Sequence, residues 1–401
     1  MTASVHTTPG PGANPRQLVF YTLVVVAFLA ASSVPTPLYP VYQATWHFST
    51  PMLTLAFATY LFALLLTLLF TGPLSDYLGR RPVIATALIL EIGAMLCFWG
   101  AHDLTWLFIA RALQGMATGI ATSALGAALI DSDHRHGPIL ASVAPMIGMG
   151  LGALGSSVLV AEAPYPMRLV FVVMVAIFIW QSIGMRSTRE SVQRRAGALA
   201  AMRPRVHIPA NVLPTFLRVI PANIAAWSLG GFSLSLGPML AKDVTGLDNA
   251  MIGGLMVCLL STMGAVSVWR MRVLATRQIL MFSGTLLPLG MSIILGSLYT
   301  HSTPLLLTGF TVAGLGFGTG FMGAMRAIMA LAPAGERSSL MSVIYVVSYL
   351  SASLPALAAG LASQRYGFEP TVYGYGLYVM ALSLLALAGV LSQRPQTASC
   401  S

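Results

Sequence analysis

The most informative stretch of the chain is Gly72-Pro-Leu-Ser-Asp76-Tyr-Leu-Gly79-Arg80-Arg81-Pro82, because it puts an acid, two glycines and two arginines into a tight turn between two long apolar runs. Gly79 can adopt the backbone conformation that a sharp reversal requires. Asp76, at the end of a helix, can accept hydrogen bonds from arginines and from a neighbouring helix N-terminus. We therefore predict a conformational latch made of Gly72, Asp76, Gly79, Arg80 and Arg81. The alternative is an ordinary positively charged turn with no switching role.

The composition on both sides of this turn is that of a polytopic membrane protein. Hydrophobic residues make up 56% of the chain and charged residues 8%, and the mean hydropathy is +0.80. A helix needs about 20 apolar residues to cross a bilayer, and helices pair all their backbone groups internally. About a dozen apolar runs meet this length, at residues 17–39, 51–72, 83–101, 104–130, 139–160, 167–185, 213–240, 251–269, 279–299, 305–331, 340–362 and 371–391.

The arginines predict the orientation of these runs, since Lys and Arg accumulate on the cytoplasmic side of membrane proteins. With the N-terminus inside, most arginines fall on the cytoplasmic side, among them Arg80, Arg81 and those of residues 186–205. We therefore predict cytoplasmic termini and an uncleaved first helix. The net charge of +10 then reports topology, which argues against nucleic-acid binding.

A basic segment with two prolines, residues 187–212, is the largest interruption of the apolar pattern. Six runs precede it and six follow, as in transporters built from two similar halves. The predicted organisation is a cytoplasmic tail (1–16), a six-helix bundle (17–186), a cytoplasmic linker (187–212), a second six-helix bundle (213–392) and a cytoplasmic tail (393–401). A weak internal repeat relates residues 33–40, at the end of the first run, to residues 232–238, at the end of the seventh.

Two motifs carry a family resemblance. The 72–82 turn resembles the major facilitator superfamily loop signature Gly-x-Leu-x-Asp-(Arg)-x-Gly-Arg-(Arg/Lys), with Tyr77 where the family usually has a basic residue. Arg111-Ala-Leu-Gln114-Gly115-Met-Ala-Thr-Gly119 is similar to the family pattern Arg-x-x-Gln-Gly-x-x-x-Gly. The resemblance, closest to the drug:proton antiporter branch, implies an all-α integral membrane protein. Its fold would be two pseudo-symmetric six-helix bundles around a central cavity.

Candidates for proton coupling are Glu91, Arg111 and Gln114, which lie inside apolar runs. An arginine within a membrane helix costs about 2.5–3.5 kcal/mol on insertion scales, so it usually faces a cavity or a partner. In proton-coupled relatives the matching arginine is thought to influence protonation of nearby acids. At a rise of about 1.5 Å per residue, all three side chains fall at nearly the same depth. The alternatives are an arginine that packs or snorkels, and a glutamate that holds the third and fourth helices together.

The resemblance also implies a substrate cavity between the first, fourth, seventh and tenth helices, with contributions from the fifth, eighth and eleventh. The residues available there are mostly aromatic, which suits a hydrophobic or amphipathic ligand better than a sugar, although such residues also form interfacial belts. They are Tyr39, Tyr42, Asn223, Trp227, Phe232, Arg326, Tyr345 and Tyr349. Arg326 could instead seal the cytoplasmic gate. Small residues and a proline are predicted to serve helix packing, namely Gly148, Gly152, Gly155 and Pro355.

The sequence thus predicts a secondary transporter of a bacterial-type inner membrane that exports hydrophobic or amphipathic small molecules, with protons as the candidate coupling ion. The expected partners are the substrate and the bilayer, and the expected state is a monomer without cofactor or metal. A metabolite or sugar transporter of the same superfamily is the first alternative. A lipid-modifying membrane enzyme is the second, and its candidate site would be the turn that carries Asp131, Asp133, His134 and His136.

Overall fold

The computed structural model describes residues 14–204, 206–246, 250–333 and 335–392, which form α-helices and contain no β-strand. Most of the predicted tail 1–16 and all of the predicted tail 393–401 lie outside these residues. Within the described ranges the long helices, numbered in chain order, are α1 Pro15–Ser33, α2 Thr50–Thr71, α3 Arg80–Trp99, α4 Leu104–Ser132, α5 Gly137–Glu162, α6 Leu169–Gly184, α7 Leu213–Ser235, α8 Ala250–Met271, α9 Thr276–Thr300, α10 Thr303–Met329, α11 Arg337–Tyr366 and α12 Phe368–Leu391. Shorter helices lie at Tyr39–Trp46, Ser75–Leu78, Ala198–Ala201 and Gly237–Thr245, and a 3-10 turn at Met185–Ser187.

These helices confirm the prediction of an all-α membrane protein with about twelve spans. Among the described residues, eleven helices are long and apolar enough to cross a bilayer. A twelfth span results if α7 is joined to helix Gly237–Thr245, from which a 68° bend separates it. Several helices carry a proline in their first turn, where the missing N–H has no helical partner to lose. Examples are Pro15 of α1 and Pro51 of α2.

Two predicted runs proved too long, because prolines end both helices early. The first run was expected to reach residue 39, but α1 ends at Ser33. Pro35 has no N–H, so the carbonyl of Ala31 four residues earlier has no helical donor. The seventh run was expected to reach residue 240, but α7 ends at Ser235, and Pro238 likewise deprives the carbonyl of Leu234. The weak repeat in the sequence therefore corresponds to two helix breaks.

The first six and the last six long helices pack mainly among themselves, and the two groups meet along α5 with α8 and α2 with α11. Glycines make these contacts close. A Cβ added to Gly254 of α8 would lie 1.9 Å from Ser157 Oγ of α5. A Cβ added to Gly360 of α11 would lie 2.2 Å from Thr54 Oγ1 of α2.

We call the end of the bundle that carries the 72–81 turn and residues 187–212 the arginine-rich end. Gly254 and Gly360 both lie toward the opposite end. There the two helix breaks also meet, because Thr36 Oγ1 donates a 2.9 Å hydrogen bond to the carbonyl that Pro238 left free, that of Leu234. At the arginine-rich end of the described chain, no side-chain hydrogen bond or ion pair joins α1–α6 to α7–α12. The halves are therefore closed against each other at the opposite end.

Candidate functional site

The largest fully buried polar side chain is Arg111 of α4, which has 0% exposure. One terminal nitrogen, Nη1, donates to the Ser32 carbonyl at 3.0 Å and to Gln114 Oε1 at 2.8 Å. The other, Nη2, donates to the Tyr39 hydroxyl. Gln114 Nε2 in turn donates to the Ala31 carbonyl at 2.9 Å. The side chains of α4 thus bind the broken end of α1.

The break in α1 explains why these acceptors are available. Ala31 has no helical donor because Pro35 lacks an N–H. Ser32 has none because the N–H of Thr36 bonds to the Ser33 carbonyl instead, at 3.0 Å. A buried carbonyl without a partner costs about 1–3 kcal/mol. The pairing of Arg111 and Gln114 with α1 therefore removes a penalty that the prolines create.

Aromatic rings complete the surroundings of the buried arginine. The guanidinium carbon of Arg111 lies 5.3 Å from the ring centroid of Tyr39, 5.4 Å from that of Tyr60 and 5.8 Å from that of Phe98. A cation over an aromatic face gains about 2 kcal/mol or more where water is excluded. Sequence reasoning missed Tyr60 and Phe98, because nothing but their aromatic character separates them from the other apolar residues of their runs.

Glu91 of α3 is also fully buried and joins this cluster through an amide. Its Oε1 accepts a 3.3 Å hydrogen bond from Gln114 Nε2, while Oε2 has no partner among the described residues. Arg111 and Glu91 make no direct ion pair in that part of the chain. The three residues predicted for proton coupling are therefore brought together, with Gln114 between the cation and the acid. We call Glu91, Arg111, Gln114 and Tyr39 the buried polar cluster.

Three of the predicted cavity residues form one aromatic cluster between the two halves. The ring of Trp227 in α7 lies 5.0 Å from that of Tyr349 and 5.8 Å from that of Phe321, and the rings of Tyr345 and Tyr349 lie 6.1 Å apart. Tyr349 belongs to the same hydrophobic core as the buried residues of α1–α4. Phe321 of α10 was not predicted, although it lies in a run that the family places beside the cavity.

The other predicted cavity residues lie in packed surroundings. Tyr39 contacts Arg111, and Tyr42 stacks on Trp46 at 4.5 Å. Asn223 donates to Ser348 Oγ at 2.9 Å, and the Phe232 ring lies 4.8 Å from that of Tyr375. Arg326 donates to the Arg272 carbonyl at 2.7 Å, near the arginine-rich end. These contacts stay within one half, and that of Tyr42 stays within the short helix Tyr39–Trp46.

The four residues predicted to serve helix packing differ in how closely they contact a neighbouring helix. A Cβ on Gly148 would lie 2.4 Å from the Val26 carbonyl oxygen, and one on Gly152 would lie 2.1 Å from that of Ala30, so both glycines face α1 at backbone contact. Gly155 has no atom within 4 Å of an added Cβ. Pro355 lies inside α11 and lines a groove between α11 and α12.

The predicted latch is a network of charges at the arginine-rich end. Arg80 forms ion pairs with Asp76 and, at 3.1 Å, with Asp131 at the end of α4. Gly79 has a φ of +99°, which an L side chain rarely adopts, as the turn prediction requires. Gly72 follows the end of α2 as its C-cap.

Two linker residues, which the sequence did not assign to the latch, complete it. The Glu190 carboxylate accepts from the backbone N–H groups of Arg80 at 2.8 Å and Arg81 at 3.0 Å, so it occupies the N-terminus of α3. At the N-terminus of α3 the acceptor is thus Glu190 and not Asp76, the residue that the sequence offers for such a role. Arg195 donates to the Asp76 carbonyl at 3.1 Å, and its guanidinium lies 4.8 Å from the centre of the Tyr77 ring. The linker therefore places a basic residue, Arg195, beside Tyr77, which stands where the family usually has a basic residue.

Asp76→Asn is expected to lower turnover about fivefold while the protein still inserts and binds ligand. The substitution removes the charge from a half-exposed ion pair, which is worth up to about 1 kcal/mol, and so biases one conformation. The measurement is the transport rate in liposomes together with the ligand Kd. The matched control is Asp243→Asn, at an exposed aspartate of the opposite end. Equal transport rates in the two variants would show that Asp76 has no latch role.

The turn proposed for an enzyme site has a simpler arrangement. Asp131 pairs with Arg80 and accepts from Ser191 Oγ at 2.8 Å. Hydrogen bonds from the ring and backbone of His136 lower the pKa of Asp133 to about 2. Within the described residues, no group of three or more His, Cys, Asp or Glu side chains could hold a metal ion. Asp131 therefore belongs to the charge network of Arg80, and Asp133 and His136 belong to the turn that connects α4 and α5.

Comparison with known proteins agrees with this architecture. A family model described as Major Facilitator Superfamily matches residues 21–356. The chain is 28% identical over 320 residues to a multidrug resistance protein MdtL of Citrobacter koseri, covering 74% of this chain and 77% of that protein. It is 25% identical over 370 residues to the MdtL of Escherichia coli O139:H28, covering 86% and 85%.

Solved structures share the fold at low identity. The nucleoside transporter NupG, solved as a mutant, superposes with a TM-score of 0.70 at 11% identity and covers 93% of this chain and 99% of its own. The POT family transporter PepTSo gives the same TM-score and identity, over 94% and 97%.

Proposed function

The chain belongs to the Major Facilitator Superfamily and is a membrane transporter rather than an enzyme, and we propose that it exports hydrophobic or amphipathic small molecules by alternating access. The observation that carries the proposal is the aromatic cluster of Trp227, Phe321, Tyr345 and Tyr349 between the two halves. It offers large apolar faces without a charged side chain, which suits such ligands. The names of the multidrug resistance relatives point the same way.

We further propose that the arginine-rich end is cytoplasmic, in a bacterial inner membrane with both termini inside. The support is the concentration of arginines there, which follows the positive-inside rule. In this orientation the contacts of α5 with α8 and α2 with α11 close the outer end. Transport would then require the two bundles, 17–186 and 213–392, to separate at the outer end. They would also have to close against each other at the arginine-rich end, where the latch and linker 187–212 lie. A monomer suffices for this cycle.

Proton coupling is proposed through the buried polar cluster. Binding or release of a proton at Glu91 changes the charge of a group that Gln114 connects to Arg111. Gln114 and Arg111 also hold the Ala31 and Ser32 carbonyls of α1. A change of charge on Glu91 therefore bears on the helix whose broken end contacts the other half, through Thr36 and Leu234. Through this connection, protonation of Glu91 would affect the hydrogen bond between Thr36 and Leu234 at the outer end.

The test of the proposed function is flux in liposomes that contain the purified protein. A hydrophobic fluorescent cation, a neutral amphiphile and a sugar are compared with and without an imposed pH gradient, and protein-free liposomes measure leakage. We expect the pH gradient to drive uphill movement of one or both amphiphiles at least tenfold above leakage, with no movement of the sugar. Sugar flux without amphiphile flux would instead support the metabolite alternative.

A further inference from the structure

A groove of about 690 Å³ lies between α11 and α12, in the parts of both helices that are remote from the arginine-rich end. It exists because small residues face each other across the two helices. Pro355, Ala358 and Ala362 form one wall, and Gly374 belongs to the other. A Cβ added to Gly374 would meet no atom within 4 Å. The space is therefore open enough to admit a chain of methylene groups.

The walls of the groove are apolar, and the hydroxyls of the two tyrosines that α12 contributes have partners. The Tyr375 hydroxyl donates to the Ser228 carbonyl at 2.7 Å, and the Tyr378 hydroxyl lies 3.4 Å from Ser228 Oγ. Leu354, which lines the groove, and Leu377 on α12 are 50% and 60% exposed, as side chains that face hydrocarbon. A ligand here would gain by burying apolar surface, at about 25 cal/mol per Å².

The length of the groove matches one leaflet. The lining of α11 runs from Leu354 to Tyr366, which at about 1.5 Å per residue is roughly 18 Å. The hydrocarbon core of a bilayer is about 30 Å thick, so one leaflet supplies about 15 Å. An acyl chain that starts at the Tyr366 level would fill the groove and end near the middle of the membrane.

Two opposite charges adjoin residues that line the groove, one next to Tyr366 and the other next to Pro370. Arg365 stands in the last turn of α11 and Glu369 in the first turn of α12, and both are exposed. The Arg365 guanidinium carbon lies 5.6 Å from the ring centroid of Tyr366, which lines the groove. Neither charge takes part in an ion pair with the described residues. A cation and an anion that each adjoin a lining residue complement a headgroup that carries both a phosphate and an ammonium.

We propose that this groove binds a zwitterionic phospholipid with a primary ammonium headgroup, from the leaflet opposite the arginine-rich end. One acyl chain lies between α11 and α12, the phosphate pairs with Arg365 and the ammonium pairs with Glu369. In the orientation proposed above this is the outer leaflet. The lipid site does not depend on transport activity, so its test can fail or succeed separately from that of the proposed function.

The test is native mass spectrometry of the full-length protein in detergent with added phosphatidylethanolamine or phosphatidylglycerol of equal chain length. We expect one phosphatidylethanolamine adduct on the wild type, at least fivefold above phosphatidylglycerol at equal concentration. Ala358→Leu, which fills the groove, should lose most of the adduct, whereas Ala388→Leu, at an exposed position of α12 outside the groove, should keep it.

The charge variants keep the test decisive if Ala358→Leu fails to fold, because Arg365 and Glu369 are exposed. Arg365→Gln should weaken both lipid adducts, and Glu369→Gln should remove the preference for phosphatidylethanolamine without weakening phosphatidylglycerol. Equal binding of both lipids to the wild type would overturn the proposal. So would an adduct that persists in Ala358→Leu while that variant loses affinity for a transported amphiphile, since the groove would then be a substrate site.

Discussion

Arg111→Ala is expected to reduce transport at least a hundredfold and to lower the melting temperature of the purified protein. The substitution leaves the Ser32 carbonyl and the Gln114 amide oxygen without their buried donor, at about 1–3 kcal/mol for each unsatisfied group. It also empties the space between Tyr39, Tyr60 and Phe98 that the guanidinium fills. Flux in liposomes and thermal unfolding in detergent measure the two effects.

Arg111→Lys separates charge from geometry. Lysine keeps the positive charge but lacks the planar fork with which Arg111 reaches Ser32, Gln114 and Tyr39 together. Compared with Arg111→Ala, we expect Arg111→Lys to restore part of the lost thermal stability and to raise the transport rate by less than tenfold. The matched control is Arg218→Ala, which removes an exposed arginine of α7. Wild-type transport in both Arg111 variants would leave the arginine a packing role alone.

Glu91→Gln is expected to abolish uphill transport driven by a pH gradient while downhill exchange of substrate persists. Glutamine has the volume of glutamate and can accept from Gln114 Nε2 as Glu91 Oε1 does, but it cannot bind or release a proton. The loss should bring gradient-driven accumulation at least tenfold below wild type, to the level of liposomes without a gradient. Both fluxes are measured on the same preparation, with the melting temperature of each variant.

A structural glutamate would give a different pattern. Gln would then be tolerated in both flux assays, and Glu91→Leu would instead lower the melting temperature, because it leaves the Gln114 amide without its acceptor on α3. Glu162→Gln, at an exposed glutamate at the end of α5, controls for the loss of one carboxyl group elsewhere. Unchanged gradient-driven flux in Glu91→Gln would end the proton-carrier hypothesis.

The sequence predicted the helical class and the family because these follow from local patterns. Apolar runs of sufficient length specify spans, and the 72–82 turn specifies where two of them join. The sequence also predicted that Glu91, Arg111 and Gln114 lie at the same depth, because the helix rise is constant. Helix ends were less predictable: the runs through Pro35 and Pro238 remained apolar beyond the residues where the missing N–H groups end α1 and α7.

The partners that sequence reasoning missed are those whose contacts depend on tertiary structure. Glu190 lies 110 residues after Arg80 and accepts a hydrogen bond from the backbone N–H of Arg80, and no local pattern connects the two residues. Backbone acceptors such as the Ala31 and Ser32 carbonyls are also invisible to a search for side-chain chemistry. The spacing of a proline four residues after a buried carbonyl is a signal that could have found Ala31.

The hydrogen bond from Thr36 to Leu234 has an evolutionary consequence. Its acceptor is a backbone carbonyl, so the side chain at position 234 does not encode it, whereas Pro238 leaves that carbonyl without a helical donor. Among homologues, a hydroxyl at position 36 should therefore covary with proline at 238 more strongly than with any residue at 234. Covariation would in that case identify a pair of residues that do not form the bond themselves.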